Sequence, residues 1–284
     1  MRKYILIAAA VILFAAPCFA ADILSDGFES GDLSSPSGTT GSWGGSNYLP
    51  GDLVEVSTDY SHSGSHALKF VFFGDSADSQ AEQRISLGAQ YGEVWGRMWL
   101  RIPSNFDHPE VDPNNNKLWA IYASPYESYT TNYQVNLSYN SGNGTNSYLN
   151  THVYNMGAET STWNAYTSMI TPADEGQWME IIIHMAPSTT GSSGDGIYQV
   201  WKNGTLIVNW TNLNSYGNSA NYIDAMYLLG WSNSGFVETT VFYIDDVLIS
   251  DTEILPGGVT PSTGSSMSGT GSLGMGGTGA AKME

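Results

Sequence analysis

Arg97, Arg101, Lys117 and Lys202 stand in short β-patterned stretches, where successive side chains alternate between two faces, so all four can be turned toward one surface. Cations are scarce here: 9 Lys and Arg face 27 Asp and Glu, for a net charge of −18 over 284 residues. A background this acidic repels nucleic acid and anionic membrane surfaces, and it disfavours polyanions except where positive charge is focused. A local cluster of cations is therefore a candidate site. Arg97, Trp99 and Arg101 alternate with Met98, Leu100 and Ile102, which directs the apolar set to a core and the polar set to a groove. Trp99 and Trp119 offer flat aromatic faces suited to the C–H face of a sugar ring, and core packing is the alternative for both. The plainer reading of the cations is solubility and cross-strand pairing.

The elements that must position these residues are strands. Residues 21–254 are rich in Tyr, Trp, Thr, Ser, Asn and Gly and poor in Lys and Glu, a composition that disfavours helices. Strand patterns recur at Ala67–Phe73, Val94–Ile102, Lys117–Ala123, Tyr133–Tyr139, Tyr148–Tyr154, Trp178–Met185, Gly196–Trp201, Thr205–Val208, Met226–Leu229 and Thr240–Ser250. Asn203-Gly204 marks a tight hairpin, because both central residues of a type I′ turn need positive φ. The sum predicts an all-β, two-sheet antiparallel β-sandwich.

Residues 1–20 have the layout of a secretory signal: Arg2-Lys3, an apolar run from Tyr4 to Ala16, and small residues before a cut after Ala20. The expected product is exported, to the periplasm or the extracellular space. Cys18 leaves with the leader, so neither disulfide nor thiol chemistry is available to the mature chain. Losing Arg2 and Lys3 as well leaves seven cations against the same 27 acids, a net charge of −20. No later apolar run is long enough to span a bilayer, so membrane insertion is not expected. Residues 255–284 shift to Gly, Ser and Thr and read as a flexible tail.

The run Val94-Trp95-Gly96-Arg97-Met98-Trp99-Leu100-Arg101-Ile102-Pro103-Ser104-Asn105-Phe106, followed after a loop by Asn116-Lys117-Leu118-Trp119, resembles the arginine and lysine strands of jelly-roll polysaccharide lyases. It is most similar to alginate lyases of family fourteen and to glucuronan lyases. Gly176 to Ile181, Gly194 to Gly204 and Tyr243-Ile244-Asp245-Asp246-Val247 resemble later strands of the wider concanavalin A-like lectin and glucanase group. Where the family has a serine and an arginine two apart, this chain has Gln134 and Asn136; where the family has two tyrosines two apart, it has His152 and Tyr154.

The resemblance implies β-elimination of a glycosidic bond beside a uronate. That reaction needs a group to tame the carboxylate, a base for the neighbouring C–H, and an acid for the leaving oxygen. Arg97, Arg101, Gln134 and Asn136 are the expected carboxylate binders, His152 the base and Tyr154 the acid, with Lys117 as electrostatic support. Trp99, Trp119 and Lys202 are expected to contact the polysaccharide. The resemblance also implies a structural Ca²⁺ held by Glu29, Asp245 and Asp246, whose hard oxygens suit that ion, with plain surface charge as the alternative. A zinc site is not expected without cysteine. No Glu-x-Asp-x-x-Glu strand, Gly-x-Ser-x-Gly elbow or phosphate loop is present. Two readings follow: a secreted lyase of a uronate-containing polymer, or a lectin-like module of the same fold that binds glycan without cleaving it.

Overall fold

The ten expected strand stretches all form strands, and five further strands join them among the described residues. The computed structural model describes residues 22–74, 77–107, 115–123, 133–141, 147–155, 158–191, 193–215 and 221–257. In chain order the strands are β1 (Leu24–Asp26), β2 (Ser42–Tyr48), β3 (Leu53–Ser57), β4 (Ala67–Phe72), β5 (Ser79–Tyr91), β6 (Val94–Arg101), β7 (Asn115–Tyr122), β8 (Tyr133–Ser141), β9 (Ser147–Asn155), β10 (Ala158–Ile170), β11 (Trp178–Ala186), β12 (Gly196–Lys202), β13 (Thr205–Leu213), β14 (Ile223–Ser232) and β15 (Thr240–Ser250). In β5, one of the strands without a clear sequence signal, Ala81, Ile85 and Leu87 enter the core, but the polar Gln83 interrupts that inward row.

Two antiparallel sheets pack face to face. The first runs β13-β12-β11-β6-β15-β4-β3, with β1 also paired to β15, and the second runs β10-β9-β8-β7-β14-β5-β2. The core between them is built from inward residues such as Met98, Leu100, Ile181 and Ile183 of the first sheet and Ile121, Val135, Leu137, Val153 and Leu228 of the second. Burial of this apolar surface is the main force holding the sheets together. The β12–β13 hairpin turns as expected, with Asn203 at φ 47° and Gly204 at φ 78°.

One irregularity decides the phase of β7. Lys117 pairs with Ser138, but the next partners are Trp119 and Leu137, so Leu118 is an extra residue in the ladder. A bulge of this kind turns two consecutive side chains to one face and reverses the alternation beyond it. Leu118 and Trp119 both enter the core, while Lys117, Ala120 and Tyr122 share the outer face. The Trp119 ring crosses to the opposite sheet, where Gly96 makes room for it: a Cβ at Gly96 would lie 2.7 Å from Cζ2 of Trp119.

The expected leader, residues 1–20, and the chain beyond residue 257 lie outside the described residues. Ile254 is buried against Trp95, Ile182 and Leu248 on the outer face of the first sheet. No helix among the described residues is long and apolar enough to cross a membrane.

Candidate functional site

The outer face of the second sheet gathers five of the expected residues. Asn136 of β8 lies directly opposite His152 of β9, and Gln134 directly opposite Tyr154, while Lys117 is in register with Ser138 and through it with Asn150. Directly opposed side chains have Cβ atoms about 4.5–5.5 Å apart, so each pair can act on one ligand group. Gln134 and Asn136 form the floor, 5% and 1% exposed, whereas Lys117, His152 and Tyr154 are only half-buried. Gln134 Nε2 donates to Asn136 Oδ1 at 2.5 Å and to the Tyr227 hydroxyl at 3.1 Å, which fixes the amide. The His152 and Tyr154 rings run nearly parallel, 6.1 Å between centroids.

Burial pushes the Lys117 ammonium below the ordinary lysine range, and the Glu82 carboxylate pulls it part of the way back. Glu82 is itself 1% exposed; it accepts from Arg84 Nε at 2.7 Å and from Asn47 Nδ2 at 3.1 Å. Ala120 sits between Tyr227 and Asn136 in the ladder, and this small residue keeps the middle of the row low.

Four residues of this face were not expected from the sequence: Tyr122, Tyr227, Glu82 and Arg84. The tyrosines lie in expected strands, and correct phasing of β7 and β14 would have found them. Glu82 and Arg84 lie in β5, where no strand pattern was legible.

The other expected residues do not join this face. Arg97, Trp99 and Arg101 belong to β6, between β11 and β15 of the first sheet, and point away on that sheet's outer side. Their convergence with Lys117 is therefore corrected: strands adjacent in sequence fall in opposite sheets, and their polar faces look in opposite directions. Arg101 stacks over the Tyr60 ring at 4.1 Å and donates to the Ile102 carbonyl. Trp99 stacks on His62, with centroids 3.8 Å apart and planes 12° from parallel. Trp119, fully buried, is core and no sugar platform. Lys202 donates to Asp174 Oδ2 at 2.6 Å, both side chains mostly buried, and this ion pair takes it out of a ligand-contacting role.

The three acids expected to hold calcium are engaged otherwise. Glu29 accepts from the backbone N–H of Ser65 and His66, each at 2.9 Å. Asp245 accepts from the N–H of His62 and Ser63, and Asp246 from the Ser63 hydroxyl while pairing with His62 Nδ1 at 2.6 Å. Among the described residues no three His, Cys, Asp or Glu side chains are grouped to share a metal ion. Calcium needs several oxygen ligands converging on one point, and among the described residues these three carboxylates are not grouped in that way. The loop 62–66 is clamped by hydrogen bonds to Glu29, just after β1, and to Asp245 and Asp246 of β15.

A family model described as polysaccharide lyase matches residues 28–248. Solved structures of the same architecture include the alginate lyase Aly36B, as a double mutant in complex with alginate tetrasaccharide (15% identity, 80% of this chain and 96% of that one, TM-score 0.56). They also include endo-β-1,4-glucuronan lyase from the fungus Trichoderma reesei (14% identity, 78% and 94%, TM-score 0.55) and alginate lyase vAL-1 from Chlorella virus (13% identity, 75% and 93%, TM-score 0.51). At these identities the likeness shows a common fold. No curated protein matches the sequence.

Proposed function

Because the chain belongs to the polysaccharide lyase family, we propose that it cleaves a uronate-containing polysaccharide by β-elimination on the outer face of the second sheet. The observation that carries this reading is the pairing of Asn136 with His152 and of Gln134 with Tyr154 on one face, beside Lys117. The Asn136 amide N–H and the Lys117 ammonium take the substrate carboxylate, with Gln134 fixing Asn136 through its Oδ1, and the charge they withdraw makes the neighbouring C–H more acidic. His152 removes that proton. The electron pair forms a carbon–carbon double bond, the glycosidic C–O bond breaks, and Tyr154 gives its phenolic proton to the departing oxygen. Proton transfer from Tyr154 and to His152 leaves both side chains to be reset by proton exchange before the next turnover. The leader read in residues 1–20 fits a protein that meets such polymers outside the cell.

The test is a panel of alginate, glucuronan, pectate and neutral glucans, followed by the ultraviolet absorbance of unsaturated ends. Release of unsaturated product from at least one uronate polymer is expected. Saturable binding of a polymer with no product from any of them would overturn the catalytic reading in favour of the lectin-like module. One feature of the floor favours that second reading: Gln134 already spends its amide N–H groups on Asn136 and Tyr227.

A further inference from the structure

On the far side of the sandwich the outer face of the first sheet holds an open pocket of about 440 Å³, inside the ~300–1,000 Å³ range of small-molecule sites. Arg97, Trp99, His62, Glu180 and Asp246 line it, and Ser25 and Gly257 stand among its smallest lining residues. Two segments from the chain ends build its walls: β1 adds to β15, and Gly257 donates its N–H to Glu180 Oε2 at 3.2 Å.

Several of these groups keep hydrogen-bonding capacity in reserve. Glu180 lines the pocket and commits Oε2 to Gly257, which leaves Oε1 available to a ligand donor among the described residues. His62 commits Nδ1 to Asp246, and its Nε2 makes no hydrogen bond among the described residues. The Trp99 indole N–H and the exposed Ser25 hydroxyl are likewise uncommitted within them. Phe28 and Asp246 flank the pocket with φ of 61° and 46°, left-handed values that non-glycine residues hold at a cost, as is common at binding sites.

The balance of charge selects the ligand. Asp26, Glu180 and Asp246 outnumber Arg97 in the lining, and Asp22 lies close enough to feel the Arg97 charge. Such a pocket repels a uronate. Mixed donors and acceptors beside an indole suit the hydroxyls and C–H face of an uncharged pyranose.

We propose that this pocket is an accessory binding site for the end of a neutral saccharide, independent of the lyase face and able to hold the protein on an uncharged polymer while the second sheet works on a uronate chain. The test is calorimetric titration of the full-length protein with cellotetraose, xylotetraose and mannotetraose, and separately with an alginate tetrasaccharide. At least one neutral tetrasaccharide should bind saturably. Ser25→Tyr, which fills the mouth from an exposed position, and Glu180→Gln, which removes the acceptor charge, should each weaken that binding by about tenfold or more, the equivalent of one lost hydrogen bond. Tyr154→Phe, on the opposite face, should leave it unchanged. Circular dichroism and retained release of unsaturated product certify the fold of each pocket variant and report on the lyase reading separately. Failure of all three neutral sugars to bind, or binding that survives Ser25→Tyr and Glu180→Gln alike, overturns the proposal.

Discussion

Lys117 is a residue whose chemistry and stability pull in opposite directions. Burial disfavours its charge, and Glu82, already paired with Arg84, restores only part of the loss. Lys117→Met keeps the stem and removes the charge, so it should raise the melting temperature by roughly 2–4 °C for each kcal/mol of desolvation relieved, while turnover on a uronate polymer is lost. Calorimetry and the unsaturated-product assay on the same sample check both halves. Tyr154→Phe separates chemistry from binding: deleting only the phenolic proton should cut turnover by about 10²–10⁴-fold with polymer affinity retained. Arg101→Ala should leave turnover nearly unchanged, because that guanidinium sits over Tyr60 on the other sheet. A matching collapse in Arg101→Ala would mean that the first sheet takes part in the reaction after all.

At the scale of elements, the bulge at Leu118 and the glycine at position 96 are one device. The extra residue drives the Trp119 ring inward, and Gly96 accepts it on the facing sheet. Gly96→Ala should cost about 1–3 kcal/mol by overpacking, read from denaturant unfolding. Gly96→Ala combined with Trp119→Phe should cost less than the sum of the two single changes, since the smaller ring vacates the space the methyl needs. The strands carrying Arg97, Lys117, Gln134 and His152 were all legible from alternation and flanking turns. The bulge was not, because Leu118 to Tyr122 is a continuous apolar run in which no alternation marks a change of phase, and only the pairing with β8 reveals the inserted residue. β5 was missed for a different reason: Gln83 stands in the inward row between Ala81 and Ile85, and this polar residue breaks the apolar half of the alternation.

For the molecule as a whole, the first and last strands are tied together at the loop 62–66, which donates hydrogen bonds to Glu29, just after β1, and to Asp245 and Asp246 of β15. Burial raises the Asp245 carboxyl from 3.8 to about 6, with the Asp246 charge adding to the rise and the His62, Ser63 and Asp246 N–H groups opposing it. The folded state therefore takes up a proton at Asp245 where the unfolded chain has none. Its contribution is full below about 3.8 and is lost as pH rises through about 6. The melting temperature of the protein should fall across that window more steeply than that of Asp245→Asn. Metal removal tests the same clamp. With hydrogen bonds from the loop 62–66 satisfying these oxygens, chelator should leave the melting temperature unchanged, and a drop would show that calcium binds there and stabilises the native state by mass action.

The sequence by itself determined the class of the fold, most of its strands, the Asn203-Gly204 hairpin and the polar rows of β6, β8 and β9. Those features are local: alternation of side chains and the φ demands of a turn are set within a few residues. Which rows share a face was decided only by the tertiary structure. β6 and β7 are separated by a short stretch of chain yet lie in opposite sheets, so Arg97 and Lys117 face away from each other, and no local pattern records which sheet a strand joins. The opposite case is Glu82, distant from Lys117 in sequence and within reach of its charge, because β14 alone separates β5 from β7 in the second sheet.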